Sequence, residues 1–192
     1  MYFIRNMKHD LELYSYYVFL SVSVCSFLSA FYQYGVCECT NIIGIVCLLD
    51  LFIIQKPDMI FHHMLVLMMV QYVNNHYSIP YRDEMLSIFL RTEISTIFLE
   101  MNYILERVHK NKMVGICKTF NTICFIITFI YYRIYQYGYY FTMNPYIHPV
   151  LITFSKTHLE MAKVYFGIYG LFLLNLYWLF LIIAKIKRMI CR

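Results

Sequence analysis

Apolar residues run through this chain in long blocks, and the polar positions that interrupt them fall into two kinds. The first kind separates blocks. Pro57, Pro80 and the stretch from Asn144-Pro145 to Pro149 lie between them, where a missing backbone donor does least harm. The blocks are Leu13 to Tyr34, Asn41 to Gln55, Met59 to Tyr77, Met85 to Glu106, Lys118 to Tyr137 and Lys163 to Ala184. Crossing the hydrocarbon layer takes about 20 apolar residues as a helix, so each block predicts a span, the second one short. The expected fold is all-α: a polytopic membrane bundle of about six transmembrane helices around a polar interior. No internal repeat or low-complexity linker divides the chain, which reads as one domain over residues 1–192.

The second kind of interruption lies inside the blocks: Asp50, His62, His63, Arg91, Glu93, Glu100 and Arg133. A charge near the middle of a membrane helix costs roughly 2.5–3.5 kcal/mol on insertion scales, so several together require a shared interior. Helical rise gives their depths. His62 and His63 follow Lys56 by six and seven residues, and Asp50 precedes it by six, placing all three about 9–10 Å inside the boundary. Glu100, seven residues before Arg107, reaches about 10 Å. These four form one predicted layer. Arg91, Glu93 and Arg133 fall at about 20–24 Å and form a second, with Arg133 and Glu93 the expected ion pair.

Helical periodicity adds a constraint on the fourth block. Glu93, Thr96 and Glu100 share one face, and Arg91, Ser95 and Asn102 the opposite one, so this helix needs neighbours on both sides. On the third block His63, Gln71 and Asn74 fall within about one quadrant and predict a polar stripe. Adjacent histidines point about 100° apart, which fits one ring on a substrate and the other on a carboxylate better than a shared ion. Asp58, just after Pro57, is expected to cap its helix, with orientation of the His62 ring as its second reading.

Composition closes off other classes. Of the 192 residues 61% are hydrophobic and only 14% charged, against about a quarter in a soluble domain. The net charge of +5 is no nucleic-acid signal, because the basic residues lie at block ends. With both termini on one side, that side collects Arg5, Lys8, Lys56, Arg107, Lys110, Lys112, Lys118, Lys185, Lys187, Arg188 and Arg192. Only Arg82, Lys156 and Lys163 fall on the other, so both termini are expected in the cytosol. A cleaved signal peptide is the alternative for the first block, given its basic start and the small residues at Ser29-Ala30. The cysteines lie mostly within apolar runs and read as free thiols, Cys37 and Cys39 being too close for an easy bridge.

At these polar residues the chain resembles the TLC-domain family of multi-span membrane proteins, which includes the ceramide synthases. His62-His63-Met64-Leu65-Val66-Leu67 resembles the paired-histidine start of the family's central motif. Glu93-Ile94-Ser95-Thr96-Ile97-Phe98-Leu99-Glu100 resembles the acidic segment that follows. Asp50 in Leu48-Leu49-Asp50-Leu51, Arg133 in Phe129-Ile130-Tyr131-Tyr132-Arg133, and Asn175 with Trp178 in the last block are similar to further family positions. The core of the likeness runs from about residue 45 to 140. Thr92, Glu93 and Thr96 stand where ceramide synthases carry a histidine and two aspartates, so the chain is more similar to short TLC-domain proteins with a Glu-x-Ser-Thr pattern.

The resemblance implies lipid metabolism at the endoplasmic reticulum, with membrane lipids as partners and acyl-CoA as a co-substrate; it admits a homo-oligomer and brings no metal or other cofactor. On that reading His62 and His63 act on the acyl group or the acceptor's proton, with Asp50 or Glu100 holding the imidazolium. Glu93, Ser95, Arg133, Asn102 and Asn74 form the substrate-binding or structural polar layer. The competing reading is a non-catalytic lipid-binding protein, or regulator of membrane lipid composition, using the same pocket. A di-iron hydroxylase fits the histidines poorly: there are seven, no second paired box, and His9, His109 and His158 lie outside the blocks.

Overall fold

The computed structural model describes residues 2–52, 56–76, 78–107 and 112–190, with side chains described between residues 16 and 188 of these. Gln55 and Tyr77, which end two predicted blocks, and His109, Lys110 and Arg192 lie outside them, as do the side chains of Arg5, Lys8 and His9. The chain is all-helical, with no strand among the described residues. Helices α1 (Tyr2–Tyr32), α2 (Val36–Asp50) and α3 (Pro57–Asn75) precede α4 (Arg82–Arg91) and α5 (Glu93–Arg107). Then come α6 (Lys112–Thr128), which continues through π-helical Phe129–Gln136 and Tyr139–Met143, α7 (Ile147–Phe154) and α8 (His158–Ile190).

Among the described residues, two helices are long and apolar enough by themselves to cross a membrane: the continuous Lys112–Met143 rod of 32 residues and α8. Both exceed their predicted blocks. The second block begins earlier than expected, because Gly35 adopts a left-handed φ of 64 that turns the chain out of α1 and starts α2 at Val36. It also stops earlier. Asp50 is the last residue of α2 and Leu51 and Phe52 are turn, so the depth of Asp50 does not follow from uninterrupted helical rise to Lys56. The stretch holding Pro149, expected to be a connection, contains α7; proline sits in its first turn, where it is tolerated.

The fourth block is one rod in the sequence reading and two helices in the structure. The joint is at Thr92. Its backbone N–H reaches back three residues to Phe89, as that of Ser95 does to Thr92, which tightens the chain locally. The carbonyls of Phe89 and Thr92 then also accept the Thr92 and Ser95 hydroxyls at 2.7 and 2.9 Å. Side chains able to back-bond produce the joint, a cue that hydrophobic periodicity does not register.

Contacts between helices close into a ring: α1 packs on α2, α2 on α3, α3 on α8, α8 on Phe129–Gln136, α6 on α5, and α5 on α1. The flanking of α5 by α1 and α6 supplies the two neighbours its polar stripes require. Each member of the ring gives the interior buried polar side chains: Ser23, Ser26 and Ser29, Asp50, His63, Ser95 and Glu100, Asn121 and Arg133, and Asn175. The outward faces carry Phe120, Ile127, Phe166, Leu173 and Phe180, all largely exposed. Inside, these polar groups lie beside a large apolar core that includes Leu65, Val66, Met69 and Ile168; apolar outward faces with the ionisable groups turned inward suit lipid better than water.

Candidate functional site

The ring's interior polar residues form two clusters joined by one indole. In the first, Asp50 at the end of α2 meets His63, one turn and a half into α3. Asp50 Oδ2 lies 2.7 Å from His63 Nε2, and the side chains are 5% and 4% exposed. The separation is that of a charge-assisted bond, yet neither atom satisfies hydrogen-bond geometry, so the imidazole N–H is not aimed along the contact. A carboxylate at a helix C-terminus faces the negative end of the helix dipole, which makes a cationic partner there more favourable than elsewhere.

His62 occupies the neighbouring position, its ring 5.4 Å from that of His63 and tilted by 58°. Its Nδ1 and the Nδ1 of His63 are buried without hydrogen-bond partners. Phe19 of α1 stacks beside His63 at 6.5 Å. Glu100 of α5 is 8% exposed, its Oε2 also lacks a partner, and it lies within electrostatic reach of Asp50 and Glu93. The cluster thus combines two adjacent imidazoles with free ring nitrogens and two buried carboxylates.

Arg133 anchors the second cluster. Its Nε donates to Ser95 Oγ at 2.7 Å, one terminal nitrogen to Thr96 Oγ1 at 2.8 Å, and the other to Asn175 Oδ1 at 3.4 Å. Glu93 is near but looser, 3.9 Å from the guanidinium, and it accepts a bond from Ser23 Oγ at 3.2 Å. The expected ion pair is present, and three neutral side chains make the closer contacts. Ser95 and Thr96, assigned to opposite faces by periodicity, both reach Arg133 because the planar fork spans neighbouring positions. Arg133 rides on the π-helical turn Phe129–Gln136; such turns are rare insertions found often at functional sites. None of these contacts involves Arg91.

Trp178 stands between the clusters. Its ring lies 5.1 Å from that of His62 and 5.8 Å from Arg133 Cζ, and its Nε1–H donates to Asp58 Oδ2 at 3.0 Å. Asp58 was expected to cap α3. It makes no cap bond; Lys56 takes the cap position and Pro57 enters the first turn without needing an acceptor. Two residues of the predicted polar layer bracket helices away from the centre. Asn74 donates to Asn41 at 2.7 Å and joins α3 to α2, while Asn102 accepts from Thr122 at 3.3 Å and joins α5 to α6. Asn121, buried beside them, donates to the Phe98 carbonyl at 2.7 Å.

The sequence reading did not single out Ser23 or use Asn175 and Trp178 as site residues. A signal existed for each. Ser23, Ser26 and Ser29 recur every third residue on α1, and Asn175 and Trp178 are three apart on α8, each set on one helix face. No set of three or more His, Cys, Asp or Glu side chains suited to a metal ion occurs among the described residues.

A histidine pair with its carboxylate, followed by an acidic helix and a buried arginine inside one ring of helices, is decided by the family comparison. The TLC-domain model matches residues 2–184. The chain belongs to the TLC-domain family. The match reaches well beyond the core of residues 45–140 and takes in α1 and most of α8, the helices that complete the ring. TLC-domain proteins are membrane proteins associated with lipids, which agrees with the two apolar rods and the lipid-like exterior. No curated protein and no solved structure matches the chain.

Proposed function

We propose that this TLC-domain protein is an acyl-CoA-dependent acyltransferase of lipid metabolism, moving an acyl group onto the amine or hydroxyl of a membrane lipid. The observation that carries the reading is the buried contact of His63 with Asp50 at 2.7 Å, with His62 at its side and Glu100 unpartnered in the same interior. With Nε2 turned to the carboxylate, the Nδ1 of His63 holds the lone pair and acts as base. It takes the proton of the acceptor as the new C–N or C–O bond forms. The thioester C–S bond breaks, and the proton passes to the departing CoA thiolate. Asp50 stabilises the imidazolium formed between these steps, and His62 contacts the acyl carbonyl. Glu100, a buried carboxylate without a partner, suits an ammonium group and can take the proton that leaves it a neutral, nucleophilic amine, His63 taking the second as the C–N bond forms; this favours an amine acceptor of the sphingoid kind and a ceramide-like product.

Further features follow from this reading. On this reading α1, α2, α3, the jointed α4–α5 pair, the Lys112–Met143 rod and α8 serve as six spans, and the distribution of Lys and Arg supports cytosolic termini. The reactive layer then sits in the cytosolic half, where the CoA head group can stay in water. The endoplasmic reticulum is the membrane proposed, and residues 1–192 one domain. Membrane lipids and acyl-CoA are the partners; nucleic acid is not, and a homo-oligomer is compatible with the exposed helix faces.

Thr92 and Thr96 favour a second reading, a lipid-binding protein or regulator of membrane lipid composition without chemistry. Where ceramide synthases carry acid–base side chains, these hydroxyls are engaged with the Phe89 carbonyl and with Arg133. Purified protein given radiolabelled palmitoyl-CoA and a panel of lipid amines and alcohols separates the two. Transfer that disappears in the His62→Ala, His63→Ala double variant supports catalysis. Saturable lipid binding without product, or turnover unchanged in that variant, rejects it.

A further inference from the structure

No hydrogen bond to the His62 imidazole occurs among the described residues, and two aromatic rings pack against it. Its buried Nδ1 has no hydrogen-bond partner, and its aromatic neighbours are His63 at 5.4 Å and Trp178 at 5.1 Å. A ring without a hydrogen bond takes the orientation its neighbours allow, so the firmness of those neighbours decides how well it is placed. His63 is itself committed to Asp50. Trp178 is firm for a separate reason: its indole N–H is tied to Asp58 Oδ2 at 3.0 Å, a bond joining residues 120 apart in sequence. Asp58 lies in the first turn of α3, four residues before His62, so the indole is fixed to the same helix that carries the imidazole. The carboxylate is well kept there, since the helix N-terminus favours a negative charge and the acceptor is ionised.

The indole is also within cation–π range of Arg133, whose Cζ lies 5.8 Å from its centroid. A single rigid ring therefore touches a titratable side chain of one cluster and the central cation of the other. Asn175, three residues earlier on the same face of α8, accepts a bond from Arg133, so α8 presents both residues to the guanidinium.

We infer that Trp178, held by Asp58, is the positioning residue of His62, fixing the plane of its imidazole and linking it to the Arg133 cluster. The inference rests on the reading of His62 as the histidine that contacts the acyl carbonyl. A plain clamp between α3 and α8 would also use the Asp58–Trp178 bond, but it would not depend on His62.

Trp178 is the only tryptophan in the chain, so the intrinsic emission of the full-length protein reports from this one place. Emission of wild type, His62→Ala, Asp58→Ala and Asp58→Asn proteins in phosphatidylcholine nanodiscs tests the idea without requiring turnover. Removing a ring packed 5.1 Å from the indole changes its surroundings, so His62→Ala should alter the intensity or wavelength of the emission. Asp58→Ala should shift the emission to longer wavelength and erase the change caused by adding His62→Ala, and Asp58→Asn, which keeps an acceptor oxygen, should restore both. Emission indifferent to His62→Ala, or a His62 effect that survives Asp58→Ala unchanged, overturns the proposal. In palmitoyl-CoA transfer assays, Trp178→Phe and Asp58→Ala should lower kcat about tenfold to hundredfold with little change in KM, and Asp58→Asn should recover most of it. A wild-type protein with His62-dependent emission but no transfer sinks the acyltransferase reading and leaves the positioning geometry standing.

Discussion

Ser95 accepts a hydrogen bond from Arg133 Nε at 2.7 Å and donates its own to the carbonyl of Thr92 at 2.9 Å. One hydroxyl therefore serves the buried cation and the joint between α4 and α5 at once. Ser95→Ala leaves a buried guanidinium donor without its partner and removes one of the two donors on the Thr92 carbonyl, which keeps the Ser95 N–H, at a cost of about 1–3 kcal/mol. Ser95→Thr keeps the hydroxyl and should cost less. Thermal unfolding in detergent, followed by circular dichroism, should rank wild type above Ser95→Thr above Ser95→Ala; equal midpoints for the two variants would contradict the shared role.

Glu93 is the nearest carboxylate to Arg133, at 3.9 Å. Glu93→Gln leaves the buried guanidinium charge uncompensated and should destabilise the protein by about 3–5 kcal/mol. Adding Arg133→Met to that variant removes the stranded charge. The double variant should then melt above the Glu93→Gln single variant, and a double variant that melts lower would show the pair to be uncoupled.

The contact between Asp50 and His63 is expected to matter for chemistry more than for folding. Asp50→Asn preserves shape and loses the charge that holds an imidazolium, so palmitoyl-CoA transfer should fall about 10²–10⁴-fold. The helical circular dichroism spectrum should stay close to wild type. Turnover near the wild-type rate in a folded Asp50→Asn protein would remove Asp50 from the mechanism.

Two glycines should answer differently to alanine. A Cβ at Gly167 would meet Met69 Sδ at 2.7 Å, and methionine can swing its flexible end away. A Cβ at Gly138 would meet Cε2 of Phe172 at 2.6 Å, and a ring packed between α8 and the π-helical turns has no comparable freedom. Gly138→Ala should cost about 1–3 kcal/mol, Gly167→Ala less. Melting midpoints of the two variants, measured side by side, check the order.

Much of the site was legible because lipid makes polar residues conspicuous. Asp50, His63, Glu93 and Arg133 each break an apolar block, and rise per residue was enough to sort them into clusters that the structure brings together. Asp50 shows the limit of that arithmetic: it meets His63 although α2 ends at Asp50 rather than running on towards Lys56. The helix joint at Thr92 and the π-helical turns under Arg133 were not legible, because both arise from backbone bonds shifted by one residue, which leave the hydrophobic pattern unchanged. Trp178 stood out only as a position similar to the family's last span, with no role attached to it, for another reason. An indole among apolar residues near the end of a block reads as a membrane-interface anchor, and only its bond to Asp58, far away in sequence, distinguishes it.

Helix α8 seals the circle, and it is also the last of these helices to leave the ribosome. Until it partitions into the bilayer, Arg133 lacks Asn175, His62 lacks its indole, and a seam of ionisable groups lies open to acyl tails. A nascent chain stalled upstream of His158 would thus display the kind of intramembrane charge that cellular quality control reads as unfinished. Premature stop codons late in the reading frame should consequently act through destruction of the protein, well before any question of its activity arises.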